Sequence, residues 1–389
     1  MTVAPSLNED AATARTARIL ILSASTGNGH MSAMAALEHE FQRRGVPVRG
    51  IDTLDYTGKA FKAWYAGGYE RVVRTKPEAW GHLYEISDHP KLAFHFQGLL
   101  DFTFVSRARR LLETYRPTVV VCTHSLPQPF LAHMRKTLGF KIAVVVTDLY
   151  PHLMWLRGKP DLYLLPSEWS QEVLEERMPM LRGRSVVTGI PVHEAFARSV
   201  SRAEARAEIG LHPELPTCTV TAGGIGAGPV LDVCRQLARQ CHEVQAVVVA
   251  GRNRALYERL EKEVPRMAAD SRARFHLNGS VALEQMARFM KASDFLIGKS
   301  GGLTTSEALA SECGFVVYEP LLIPGQEFEN ARFLEECGAG LIAKSPEQLG
   351  TVLERLLGDP DARERMRERA RAHGRPNSTR AAVDAILAL

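Results

Sequence analysis

This 389-residue chain lacks several features that would narrow its class at once. No two of its six cysteines form a Cys-x-x-Cys pair; they stand at 122, 218, 234, 241, 313 and 337. That spacing gives no disulfide framework and no metal knuckle, so they read as reduced, buried thiols of a cytoplasmic protein. Long apolar runs are missing too. The stretches 142–146 and 247–250 are too short to cross a bilayer. No secretion signal is visible, and residues 1–17 read as a disordered tail. Nor is there a large excess of one charge. The net charge is +4, and no nucleic-acid partner is expected. Residues 1–190 carry +5 and the remainder −1, a modest basic excess that suits an anionic membrane surface as well as it suits ordinary surface charge.

What is present is a rhythm of short apolar strands and helices. In the first half, strands fit 19–23, 46–52, 119–123, 141–147, 161–165 and 186–189, with a helix over 31–44. The second half repeats the pattern with strands at 217–221, 245–250, 273–278, 293–297 and 315–318 and helices at 229–241 and 254–263. Buried strands alternating with helices predict parallel sheets covered on both faces. Two such series, parted near 190–215, predict an α/β protein of two facing Rossmann-like domains, with ligands in the cleft at the strands' carboxyl ends. The segment 56–116 breaks the rhythm. It holds 12 of the 28 aromatics, among them Trp64, Tyr65, Tyr69, Trp80, Phe94, Phe96, Phe102 and Phe104, and ten Lys/Arg against six Asp/Glu. Such a mixture suits a membrane interface or a greasy acceptor groove, or else extra helices with a core of their own.

Chemistry concentrates at glycine turns. After the strand ending at Ile297 comes Gly298-Lys-Ser-Gly-Gly-Leu-Thr-Thr-Ser-Glu307, with a helix expected to open near Thr304 and Glu307 in its first turn. Backbone amides at a helix start, bared by glycine, form a phosphate site. Ser300, Gly301, Gly302, Leu303 and Thr304 are the candidates for a diphosphate. Glu307 is placed to accept hydrogen bonds from a ribose diol. Pro324-Gly-Gln326-Glu327 offers an amide and a carboxylate to sugar hydroxyls, with Asn330 supporting the next helix. Further turns put Gly224, Arg252, Asn253 and the main chain at Val281 near a nucleotide, where Gly–polar turns that merely end strands are the plain alternative.

In the first half, Gly27-Asn-Gly29-His30 follows a strand, so His30 stands at a helix start facing the cleft as a candidate base. Thr147-Asp148 ends another strand; Asp148 is a candidate to orient His30 or to act as base itself, or a turn residue. Trp155 is a candidate wall for the acceptor, or else a plain packing residue. A rival reading takes Gly27-x-Gly29-x-x-Ser32 with Asp52 as half of a dinucleotide fingerprint, but its third position is serine.

As a set, Gly27-Asn-Gly-His30, Val146-Thr-Asp148 with His152 and Trp155, the 298–307 turn and Pro324-Gly-Gln-Glu327 resemble the glycosyltransferases of the monogalactosyldiacylglycerol synthase and processive diacylglycerol glucosyltransferase group. The resemblance runs from Ile19 to about Leu387. It implies a GT-B fold, a UDP-hexose donor, a diacylglycerol acceptor, inversion at the sugar carbon and peripheral attachment to the inner membrane face. By that likeness His30 is the base, Glu307 holds ribose, and Gln326 and Glu327 hold the hexose; Gly29, whose turn lets a ligand approach closely, is placed with Trp155 at the acceptor. The domains would be an acceptor and membrane-facing one at 18–195, a UDP-sugar domain at 210–372, and a helix in 373–389 packing back on the first. No cofactor or obligatory metal is expected. Serine at 300, where the family usually has proline, is shared with the related peptidoglycan N-acetylglucosaminyltransferase. A non-hydrolysing UDP-N-acetylglucosamine epimerase and a non-catalytic UDP-sugar sensor are the remaining alternatives.

Overall fold

The computed structural model describes residues 17–25, 27–58, 62, 77–88, 102–156, 158–323, 325 and 327–389. The chain divides into two compact units: 1–192 with 377–389, and 193–376.

The first unit is built on a six-stranded, wholly parallel sheet: β1 (Ile19–Ser23), β2 (Val48–Asp52), β3 (Val119–Cys122), β4 (Lys141–Val145), β5 (Leu162–Leu165) and β6 (Ser185–Val187). Its helices are α1 (Asn28–Arg43), α2 (Pro77–Ser87), α3 (Phe102–Tyr115), α4 (Gln128–Leu138) and α5 (Glu168–Arg177). Successive residues of β1 enter different cores. Leu20 and Leu22 pack on one face, Ile19 and Ile21 on the other, which is why the strand reads as an unbroken apolar run.

The second unit has its own parallel sheet: β7 (Thr217–Thr221), β8 (Val244–Val249), β9 (Ala273–Asn278), β10 (Phe295–Gly298), β11 (Gly314–Tyr318) and β12 (Gly340–Ala343). Around it lie α6 (Glu194–Ala197), α7 (Arg202–Glu208), α8 (Val230–Ala238), α9 (Arg254–Ala268), α10 (Leu283–Ala292), α11 (Gly302–Ala310), α12 (Phe328–Glu336), α13 (Pro346–Gly358) and α14 (Pro360–His373). In β7, Cys218 and Val220 enter the main core, while Thr219 on the opposite face pairs its hydroxyl with Ser293 at 2.8 Å. The last helix, α15 (Ser378–Leu387), belongs to the first unit, where Ala382, Val383 and Ile386 join the core beside α1.

Strand order fixes where ligands can sit. The first sheet runs β2-β1-β3-β4-β5-β6, and the second β12-β11-β10-β7-β8-β9. In the first, the winding reverses between β1 and β3; in the second, between β7 and β10. At such a switch point the loops leave in opposite directions and open a crevice at the strands' carboxyl ends. Gly27–His30 follows β1 and the 298–302 turn follows β10, so both glycine turns stand at switch points.

Two sequence expectations shift, and one falls largely outside the described residues. Helix α11 opens at Gly302, two residues earlier than expected, so Glu307 lies in its second turn rather than its first. Strand β12 was not anticipated; its four residues, Gly-Leu-Ile-Ala, are too few for a periodic signal. Within 56–116 the helices α2 and α3 are present, but Trp64, Tyr65, Tyr69, Phe94 and Phe96 and the side chains of Trp80, Phe102 and Phe104 lie outside the described residues.

A buried charge cluster pins the base of the second switch point. Asp294, just before β10, accepts from Arg206 Nη2 at 2.8 Å, Arg202 Nη1 at 2.7 Å and the Thr217 amide at 2.7 Å. Arg206 also donates to the carbonyls of Ala292 and Pro213. Replacing Asp294 by alanine strands a buried guanidinium. The variant is expected to lose about 3–5 kcal/mol, read as a lowered urea midpoint with its slope unchanged.

Candidate active site

The first half-site grows from a backbone requirement. Gly27 precedes α1 with φ +124° and ψ 158°, a conformation that side chains rarely tolerate. This turn sets Asn28, Gly29 and His30 as the first helical residues. His30 then reaches across the ends of β1, β3 and β4. Its Nδ1 lies 2.7 Å from Thr147 Oγ1 and 3.2 Å from the Thr123 carbonyl, while Thr123 Oγ1 donates to the His30 carbonyl at 3.1 Å. Burial lowers its pKa to about 4, against which the Thr123 carbonyl favours the protonated form. The ring is therefore neutral at pH 7, as a base must be.

His124 meets His30 edge-on, ring centroids 4.6 Å apart. It is itself buried, and desolvation with the neighbouring His30 holds its pKa well below the usual value. Its Nδ1 accepts from the Leu126 amide at 3.0 Å. Sequence reasoning assigned no role to His124, Thr123 or Thr147. Only the topology, which brings the ends of β3 and β4 beside α1, marks them.

Two residues in this half take internal partners. Asp148 does not orient His30, whose hydrogen bonds run to Thr123 and Thr147; its carboxylate accepts from Trp155 Nε1 at 3.1 Å. Trp155 is only 3% exposed and belongs to the apolar core, its ring 6.0 Å from that of His30. It backs the imidazole from within rather than walling an open groove. His152 is also internal: its Nδ1 accepts from the Met154 amide and its Nε2 donates to the Tyr84 carbonyl at 3.1 Å, tying the loop to α2. Asp88 completes that tie through Arg177 at 2.9 Å and the Leu153 amide at 2.8 Å. Asp52, the ribose ligand of the rival dinucleotide reading, instead caps local backbone at Leu54 and Ser25.

The second half-site is a braced turn. Lys299 donates to Glu327 Oε1 at 2.6 Å, and Glu327 Oε2 accepts from the Ile323 amide at 2.8 Å. Ser300, fully buried, donates to the Glu327 carbonyl at 2.9 Å; its own carbonyl accepts from Asn330 Nδ2 at 2.8 Å. These bonds lock 299–301 against the loop before α12. Gly223 has φ +73°, and a Cβ there would come within 3.0 Å of the Lys299 side chain, so the lysine stem crosses from the end of β10 to the end of β7. Gly301 is the N-cap of α11, and Gly302, Leu303 and Thr304 form its first turn. Amides there have no acceptor within the helix and form the positive end of its dipole.

Behind that turn lies Glu307, 7% exposed. Among the described residues its carboxyl has no hydrogen-bond partner, and burial raises its pKa to about 8. The free protein therefore holds it protonated at pH 7.

Several of the expected nucleotide ligands also bond or pack against neighbouring protein. Ser300 and Glu327 brace the turn as just described; any contact from Glu327 to a sugar would be made by a carboxylate already fixed by Lys299. Asn253 caps α9, accepting from the Leu256 amide and donating to the Gly226 carbonyl at 2.7 Å. Val281 packs its side chain on a core cluster. Arg252 and Gly224 are exposed at neighbouring turns, the Arg252 amide donating to the Gly224 carbonyl at 3.0 Å. Gln326 lies outside the described residues. Asp359-Pro-Asp361, an Asp-x-Asp spacing, starts α14, where Asp359 caps the Ala362 amide.

Comparison with known proteins bears on the fold and the relatives of this chain. Residues 30–192 match the family model described as monogalactosyldiacylglycerol (MGDG) synthase. The processive diacylglycerol beta-glucosyltransferase of Bacillus mycoides (strain KBAB4) is 26% identical over 393 residues, covering 95% of this chain and 93% of that one. Among solved structures, Acinetobacter baumannii MurG aligns with a TM-score of 0.64 at 15% identity, over 96% of this chain and 100% of its own. The Neisseria meningitidis UDP-GlcNAc 2-epimerase bound to UDP-GlcNAc aligns with a TM-score of 0.59 at 14% identity, over 96% and 100%. At such identities the structural likeness establishes the fold alone, the two-domain GT-B α/β architecture. The chain is thus similar to the monogalactosyldiacylglycerol synthase family over residues 30–192, and to a processive diacylglycerol beta-glucosyltransferase along almost its whole length.

Proposed function

We propose that the protein is an inverting hexosyltransferase that moves glucose or galactose from a UDP-sugar to diacylglycerol, or to a glycosyldiacylglycerol, at the cytoplasmic face of a membrane. The observation that carries this reading is the pairing of chemistries at the two switch points: a neutral, buried imidazole at one, and at the other a helix start backed by a buried carboxyl without a partner among the described residues.

The donor diphosphate lies on the amides of Gly301, Gly302 and Leu303. As the sugar leaves, charge grows on that diphosphate, where a fixed helix start stabilises it without reorganisation. Lys299, paired with Glu327, holds that turn in place, and the reaction as written requires no metal. Glu307 takes the ribose hydroxyls. His30 removes the acceptor's hydroxyl proton as the oxygen attacks the sugar carbon from the face opposite the leaving group, which inverts it.

The lipid half of the proposal has its own supports. Relatives that align along nearly the full chain are named for a diacylglycerol substrate. No helix among the described residues is long and apolar enough to cross a membrane. The first unit exposes Met180 by 72% and Ile86 by 48%, and the first 190 residues carry the chain's basic excess. Peripheral attachment to anionic lipid fits both.

Purified protein given diacylglycerol and a panel of UDP-sugars should form a glycolipid from UDP-glucose or UDP-galactose; absence of product from every donor refutes the reading. His30→Ala should lower kcat by at least about 10³-fold with UDP affinity unchanged, and near-normal turnover would remove His30 as the base. Ribose hydroxyls favour the ionised form of Glu307, so its pKa must fall on binding. UDP-glucose binding at pH 7 should therefore release a proton, seen by calorimetry in buffers of different ionisation enthalpy, and Glu307→Gln should abolish the release. Flotation with anionic liposomes should show binding that high salt reverses; absence of binding at low salt argues for a soluble acceptor.

A further inference from the structure

Resting on the transfer reaction just described, we propose that Thr147, together with the Thr123 carbonyl, positions the base: the pair holds His30 as its Nδ1–H tautomer and so leaves the Nε2 lone pair to receive the acceptor's proton.

The argument starts from which atoms meet. Thr123 O and Thr147 Oγ1 approach the same ring nitrogen, at 3.2 Å and 2.7 Å. A carbonyl can only accept. A bare lone pair on Nδ1 would face the carbonyl's own, so the hydrogen sits on Nδ1 and both oxygens receive it. The lone pair of the neutral ring is then on Nε2. Both oxygens stand on rigid backbone. Thr123 follows β3 and Thr147 follows β4, where the Val146 amide bonds the Leu164 carbonyl at 3.0 Å. Thr147 is 3% exposed, and the rings of His124 and Trp155 restrict how the imidazole can turn.

The orienting group of a catalytic histidine is commonly a carboxylate. Here the nearby carboxylate, Asp148, bonds the Trp155 indole, and two neutral oxygens take its place. The consequence is kinetic. In the reaction, the acceptor oxygen–sugar carbon bond forms while the bond from that carbon to the diphosphate oxygen breaks, its electron pair leaving on UDP. The acceptor's proton moves to Nε2 and the ring becomes an imidazolium. Its Nδ1–H bonds to Thr147 and Thr123 become charge-assisted, stronger in the transition state than before it. Thr147 thus acts on kcat through His30 without touching either substrate.

Two measurements test this. In wild-type protein labelled with ¹⁵N-histidine, the His30 signal, assigned by its loss in His30→Gln, should show the Nδ1–H tautomer at pH 7; the Nε2–H tautomer would overturn the proposal. In steady-state transfer assays, Thr147→Val, which keeps the shape and removes the hydroxyl, should lower kcat by about 10- to 100-fold, with KM for the donor unchanged. Thr147→Ser should restore most of the loss. A Val variant within twofold of wild type, or a Ser variant as slow as Val, contradicts a hydrogen-bonding role. Should the Val variant fail to fold by near-ultraviolet circular dichroism, the tautomer and the Ser variant decide. If wild-type protein transfers no sugar, the function proposed above fails, and the tautomer alone decides this one.

Discussion

Every strand pairing in each sheet is parallel, and the rest of the structure depends on that constraint. A parallel sheet sends all its strands out at one end, so each following helix begins there with its amides and the positive end of its dipole turned the same way. Where the winding reverses, that end is left uncovered. Both units obey this rule with different strand orders, and both place a glycine turn at the uncovered point. One turn starts a helix with a histidine as its third residue; the other starts a helix with bare amides and a carboxyl in its second turn. In the proposed reaction the same backbone geometry serves proton transfer in one unit and anion binding in the other.

Desolvation sets the electrostatic state of both half-sites. It lowers the pKa of His30 to about 4 and raises that of Glu307 to about 8, so at neutral pH each group is uncharged before ligand arrives. In the proposed reaction, charge forms on each only as its partner arrives: the ribose hydroxyls for the carboxyl, the acceptor's proton for the imidazole. The second half-site does hold a permanent pair of charges, Lys299 and Glu327, but they neutralise one another while fixing the turn. Buried pairs of that kind contribute more to one fixed geometry than to net stability.

Much of this was legible in the sequence, for physical reasons that also explain what was missed. Turns that need glycine announce themselves, as Gly27 and Gly223 do by their positive φ. A histidine directly after such a turn is conspicuous. Threonine is not, because its hydroxyl serves caps, cores and strands alike, and Thr123 and Thr147 acquire meaning only once β3 and β4 lie beside α1. The opposite ambiguity shows at Ser300, Asn253 and Asp148. Each is a polar residue at a strand end, the first two expected at the nucleotide and the third beside His30 or in the turn, and each bonds neighbouring protein. Buried turns need their backbone groups satisfied, and nearby side chains are the cheapest donors and acceptors. Sequence alone cannot separate a polar residue that satisfies the turn from one that serves the ligand.

The central claim is that the start of α11 grips a pyrophosphate. The most direct measurement is the set of backbone amide resonances of Gly301, Gly302 and Leu303 in ¹⁵N-labelled protein titrated with UDP. The account predicts large, saturable shifts at these three amides, with uridine alone producing much smaller ones. Saturating UDP that leaves all three unmoved would contradict it.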